Sequence, residues 1–177
     1  MYLRVNERFG EYSEEPFGSV GLAPAIAVEA GAAATVVAIL EGILFVLSAA
    51  AAAYLLIKTY EAAQARGFGV DLAKRALTAG LRPMINTGKR IAELVRRFLQ
   101  QAARWAQNRP DCQRLLFEAM RAVADLERTL AEIEAELGAA APRAHELRRL
   151  LTEITQRALN AKNLWQQFKA LCGPALI

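Results

Sequence analysis

The sequence predicts an all-α chain. No period-2 run bounded by turn residues occurs, and neither an Asn-Gly nor an Asp-Gly hairpin turn is present. From Tyr54 onward the composition is dominated by Ala, Leu, Glu, Arg and Gln, the residues that lose least in a helix. Apolar residues then recur at steps of three and four over long windows, the signature of a helix with one face buried. At 177 residues the chain is long enough for one domain with its own core.

Four segments follow in order. Residues 1–22 form an acidic, irregular lead-in punctuated by Pro16, Gly18 and Gly21, without the basic start and early apolar region of a signal peptide. Residues 23–57 are apolar. Their core, "GAAATVVAILEGILFVLSAAAAAYLLI", runs from Gly31 to Ile57 with Glu41 as its one ionisable group. A helix of that length spans roughly 40 Å, more than the ~30 Å of a bilayer's hydrocarbon. Tyr54, Lys58 and Tyr60 stand where interfacial anchors are expected. The segment therefore reads as membrane-inserting, with a central helix buried in a soluble bundle as the competing reading. Glu41 is the candidate intramembrane polar residue, costly there unless protonated or paired. The same site, at Glu41-Gly42, admits a break into two shorter apolar halves. Small residues at Gly31, Ala34, Gly42, Ser48 and Ala52 allow close helix packing and self-association.

Residues 58–109 carry a net charge of +8, against −4 for residues 1–57 and zero for 110–177. "VDLAKRALTAGL" predicts a short helix stopped by Gly80 and the Arg82-Pro83 pair. Asn86 or Thr87 then caps a second, amphipathic helix over Lys89–Gln107. Ile91, Leu94, Val95, Phe98, Leu99, Ala102 and Trp105 fall on its apolar face. Lys89, Arg90, Arg96, Arg97 and Arg104 lie opposite, as candidates for binding the phosphates of anionic lipid. Nucleic acid is a poorer match, since no recognition-helix signature, interleaved aromatic or zinc-finger spacing accompanies the charge.

Residues 110–177 predict an antiparallel helical hairpin. One seam runs Cys112, Leu116, Ala119, Val123, Leu126, Leu130, Ile133, Leu137, in alternating steps of four and three. Gly138 stops that helix and Pro142 opens the next. The second seam is Leu147, Leu151, Ile154, Ala158, Ala161, Trp165, Phe168, Cys172. A single register pairs the two layer by layer, from Leu137 with Leu147 at the loop to Cys112 with Cys172 at the open end. Those cysteines are the candidate disulfide, provided their Cα atoms come within about 7 Å.

Chemistry is sparsely represented. Two thiols without a neighbouring His or Cys are too few ligands for zinc. The one histidine, His145, falls just past the hairpin loop, far from either cysteine in register, so no nucleophile–base pair assembles. Phosphate-binding glycine loops and paired-acid motifs are also missing. A non-enzymatic protein with no metal or cofactor is expected.

Cys112 at the head of a helix, His145 after the loop and Cys172-Gly173 at the end of the second helix form a pattern that resembles the helical-hairpin regions of bacterial polymorphic toxins and secreted effectors, which often follow a Gly/Ala-rich apolar segment such as residues 31–57. It covers about two thirds of the chain. The resemblance implies a delivery, translocation or membrane-acting module and supplies no catalytic residue. At the level of architecture, pore-forming bacteriocin domains, helical bundles that hide an apolar hairpin, are a second likeness.

Compartment is contested. With a span at 31–57 the positive-inside rule places the basic residues in the cytoplasm, whereas a disulfide favours an oxidising compartment. Export followed by insertion into a target membrane reconciles the two. The alternatives are a structural membrane subunit, whose single anchor carries the hairpin to partner proteins, and a soluble, cytoplasmic helical scaffold.

Overall fold

The computed structural model describes residues 31–176 other than Gln107, with backbone alone for 103–106, 175 and 176. The acidic lead-in and residues 23–30 of the apolar segment lie outside the described residues. Four long helices fill the described chain: α1 (Ala32–Arg66), α2 (Val70–Ala106), α3 (Pro110–Leu137) and α4 (Ala144–Cys172), closed by a 3-10 turn at Gly173–Leu176. No strand occurs among the described residues.

α1 is unbroken across Glu41-Gly42, so the described part of the apolar segment is one helix with no break there. Gly42 faces α2 at close range. A Cβ there would lie 2.7 Å from Ile91 Cγ1, so it is a packing position within a helix and not a turn. α1 ends in the sequence Gly67-Phe68-Gly69, where both glycines hold positive φ (80° and 74°) that a side chain would resist. This is the reversal between α1 and α2.

α2 corrects the sequence reading. In place of two helices separated at Gly80–Pro83, it runs 37 residues with Pro83 inside. Proline leaves the carbonyl four residues before it without its helical donor. Here that carbonyl belongs to Ala79, and both Ala79 and Pro83 are exposed, so water can serve it. Gly80 does not stop the helix. Its missing Cβ admits Leu56, whose Cδ1 would sit only 2.2 Å away from one. Thr87 is likewise no cap: its hydroxyl donates to the Pro83 carbonyl at 2.7 Å, within the helix.

The last two helices form the predicted hairpin. α3 stops at Leu137, next to Gly138, and all sixteen residues of the two predicted seams are buried. Cys112 and Cys172 are joined in a disulfide with their Cα atoms 6.0 Å apart. The loop end is fastened by a contact that spacing does not reveal. Glu136 takes a forked pair from Arg143, Nε to Oε2 at 3.2 Å and Nη2 to Oε1 at 2.9 Å, and also accepts the Arg143 backbone N–H at 2.8 Å. The Arg143 fork holds the Glu136 carboxyl below the usual carboxylate range.

The chain divides into two compact units, each drawing one segment from every helix. In the first (through Glu41, with 93–116 and 165 onward), Phe98, Trp165 and Phe168 meet edge-on with centroids 5.5–5.8 Å apart. The disulfide closes the same unit, and Thr35 Oγ1 lies 3.0 Å from the Gln101 side-chain oxygen. The second unit (42–92 with 117–164) is a ring of antiparallel neighbours. α1 meets α2 at Gly42–Ile91 and Leu56–Gly80, and α2 meets α3 at Gly88–Leu130 and Lys89–Glu134. Asp125 and Arg157 join α3 to α4 at 3.7 Å, and the Tyr54–Thr152 hydroxyl pair at 2.9 Å joins α4 to α1.

Candidate functional site

Two surfaces and one clasp carry what chemistry the chain offers. The first surface is the outward side of α1. Its inward stripe is made of Val36, Ile39, Ile43, Val46, Ala50, Ala53, Ile57 and Tyr60, all buried. An ordinary amphipathic helix would be polar on the other side. This one continues apolar there, with Val37, Leu44 and Leu55 at 38%, 47% and 70% exposure among small residues. The helix is long and apolar enough to cross a bilayer, and 39% of its most apolar 18-residue stretch is buried, the rest being half-buried or exposed. Glu41, the predicted intramembrane polar residue, stands on this exposed side.

The supposed interfacial anchors divide. Lys58 is exposed and Tyr54 half-buried. Tyr60 is buried, and its hydroxyl donates to the Pro142 carbonyl at 2.8 Å while accepting from the Gln64 amide at 3.0 Å. It ties α1 to the hairpin loop instead of marking a water boundary. Arg148 pairs with Glu61 next to it.

The second surface is the basic side of α2. Among the predicted headgroup ligands, Arg96 and Arg97 are exposed, and Lys89 is exposed but pairs with Glu134 at 3.2 Å. Arg90 is half-buried, and the Arg104 side chain lies outside the described residues. The net charge of the segment conceals a regularity. Arg75, Arg82, Lys89 and Arg96 recur every seven residues and are all exposed, so they share one stripe of α2. Lys74, beside the first, is spent inside the fold, donating to the Ala139 and Ala140 carbonyls at 3.1 Å each. Two large apolar side chains are exposed where α1 gives way to α2, Phe68 in the turn and Leu72 in the first turn of α2, with the Arg66 guanidinium 5.2 Å from the Phe68 ring centre.

The apolar face of α2 is already occupied. Ile91, Leu94, Val95, Phe98 and Ala102 are buried, and Leu99 is half-buried. Trp105 belongs to the segment described by its backbone alone. An interfacial helix sinks its apolar face among acyl chains. Among the described residues, the apolar face of α2 is taken up within the fold.

A shallow groove of about 260 Å³ on the hairpin is lined by Ala122, Asp125, Glu153, Gln156, Arg157 and Asn160. Its charges serve one another, Arg157 with Asp125 and Glu153, and Arg128 with Asp125 at 3.1 Å. No group of three His, Cys, Asp or Glu side chains among the described residues could hold a metal ion. His145 is exposed in the first turn of α4. The chain matches no protein-family model, no curated protein and no solved structure.

Proposed function

We propose that the chain is a non-enzymatic, membrane-active helical module, of the kind that bacterial secreted toxins and effectors carry, acting on anionic bilayers. The observation that supports this most is the all-round apolarity of α1. A helix that is apolar on both sides suits either a fully enclosed core or lipid, and here one side faces outward. The seven-residue basic stripe on α2 supplies attraction to phosphate headgroups, worth about 1 kcal/mol per cation near an anionic surface.

Insertion requires α1 to leave the fold, because its inward stripe is packed. Its polar ties to α4 and the hairpin loop cluster at one end, at Tyr54, Tyr60 and Glu61. Before them, the inward stripe from Val36 to Ala53 packs by apolar contact, which a hydrocarbon interior replaces at little cost, while the Thr35–Gln101 contact near the start of α1 has to break. The hairpin, fastened at both ends, stays intact in this scheme.

A second reading also has an observation behind it. The inward stripe of α1 is buried as completely as the hairpin seams, which suits a soluble scaffold using α1 as a core helix. Vesicle experiments decide between them. The oxidised protein is expected to float with phosphatidylglycerol vesicles and release an entrapped dye, with little effect on phosphatidylcholine and a loss of binding as salt is raised. No flotation and no leakage with anionic vesicles would overturn the membrane reading in favour of the scaffold.

A further inference from the structure

The outward face of α1 has an internal symmetry. Val37, Glu41, Leu44, Ser48, Ala51, Leu55, Lys58 and Ala62 follow one another at alternating steps of four and three, and every one is exposed. Alternation of this kind keeps a seam facing a partner helix along its length. Read from both ends inward, the seam complements itself. An antiparallel copy with its two-fold axis between Ser48 and Ala51 sets Ser48 against Ala51 at the centre and Leu44 against Leu55 on either side. The same register sets Glu41 against Lys58, and Val37 against Ala62 beyond.

We infer that α1 pairs antiparallel with α1 of a second copy of this chain in that register. Each feature of the seam then has a use. The small central pair lets the two backbones approach closely. Leu44 and Leu55, at 47% and 70% exposure in one chain, become covered by each other. The two-fold repeats each contact, so two Glu41–Lys58 pairs form at once, as an isologous interface requires. A carboxylate accepts from more than one donor, so the pairing does not ask Glu41 to give up a contact within its own chain. A parallel pairing would instead set Glu41 against Glu41 and Lys58 against Lys58, and charge selects against it.

This inference does not depend on the bilayer reading. It concerns the protein in water, and the covered face is one that lipid would otherwise have to reach. The test is sedimentation velocity without lipid or detergent, on the wild type, E41K, K58E and the E41K/K58E double variant. Every substituted position is exposed, and circular dichroism confirms that each variant keeps its helix content. The wild type is expected at twice the 19.3 kDa of one chain. Each single reversal should weaken the dimer by about tenfold or more, because it creates two like-charge contacts, and the double reversal should restore it. S48C/A51C oxidised in the dimer should give a covalent pair through residue 48 of one copy and residue 51 of the other, mapped by peptide mass. A monomer throughout, a dimer indifferent to the reversals, or a 48-to-48 cross-link in S48C alone would each overturn the proposal. None of these results bears on vesicle leakage, so the two readings fail separately.

Discussion

Two glycines within α2 look alike in sequence and differ in what surrounds them. A Cβ at Gly80 would strike Leu56 Cδ1 at 2.2 Å, and one at Gly88 would strike Leu130 Cδ1 at 2.1 Å. Leu56 is half-buried, and the atom that has to give way is the far end of its side chain, whereas Leu130 is 2% exposed within the hairpin seam. Alanine in a helix interior gains about 0.8–1 kcal/mol over glycine. Gly80→Ala should therefore stabilise by up to about 1 kcal/mol. Gly88→Ala should destabilise, since overpacking a filled core costs about 1–3 kcal/mol. Urea unfolding of the two variants gives opposite signs if this account is right. At the hairpin loop, Glu136 supplies a pH dependence. Its carboxyl is held below its ordinary value by Arg143, so its contribution is present in full above the unfolded value and is lost as pH falls through the lower, folded one. Stability should decline below about pH 4.5, and Glu136→Gln should flatten that part of the profile in thermal melts.

At the scale of elements, the hairpin is the part most completely written in the sequence. Its seams alternate by four and three without a defect, and each ends in a cysteine, so one register satisfies every layer and names the disulfide. α2 is legible only in part. Gly80 and Pro83 are genuine stop signals taken locally, but the glycine answers a neighbour's side chain and the proline sits where solvent repairs the loss. Such requirements belong to the packing of a different helix, which periodicity within α2 does not report. The reversal at Gly67-Phe68-Gly69 has its signal in plain view, in two glycines two apart. The clasp itself is a quantitative matter. Sixty residues separate Cys112 and Cys172. Constraining a loop of this size in the unfolded chain is worth about 4 kcal/mol in the chain-entropy account. C112A/C172A should lose an amount of that order in urea unfolding, with the helix content of the folded protein unchanged. A loss below about 1 kcal/mol would mean that the unfolded hairpin is already compact.

For the whole molecule, the fold class and the apolar, basic and hairpin segments are readable from composition and spacing, and the use of the apolar segment is not. Length and hydropathy describe a helix without its surroundings, and α1 meets the requirements of a membrane span while burying a full stripe against protein. The basic segment is legible only as charge, for a related reason. Its cations suggest one side of an amphipathic helix free to lie on lipid, but the fold claims the apolar side. Least legible is the arrangement of exposed residues: the cations of α2 at intervals of seven and the two-ended symmetry of α1. Both come from positions that no core constrains, where a search for buried periodicity has nothing to find.

The sulfurs joining α3 to α4 have one further property. Both cysteines are fully buried, 0% exposed, so a small dithiol in solution has no route to them while the surrounding packing holds. Reduction therefore waits on opening. With rising dithiothreitol the rate of thiol appearance should climb and then level off, because the slow step becomes a motion of the protein and no longer a collision. The plateau is a clock for that motion, read without any label. Added anionic vesicles that draw the helices apart would make it run faster.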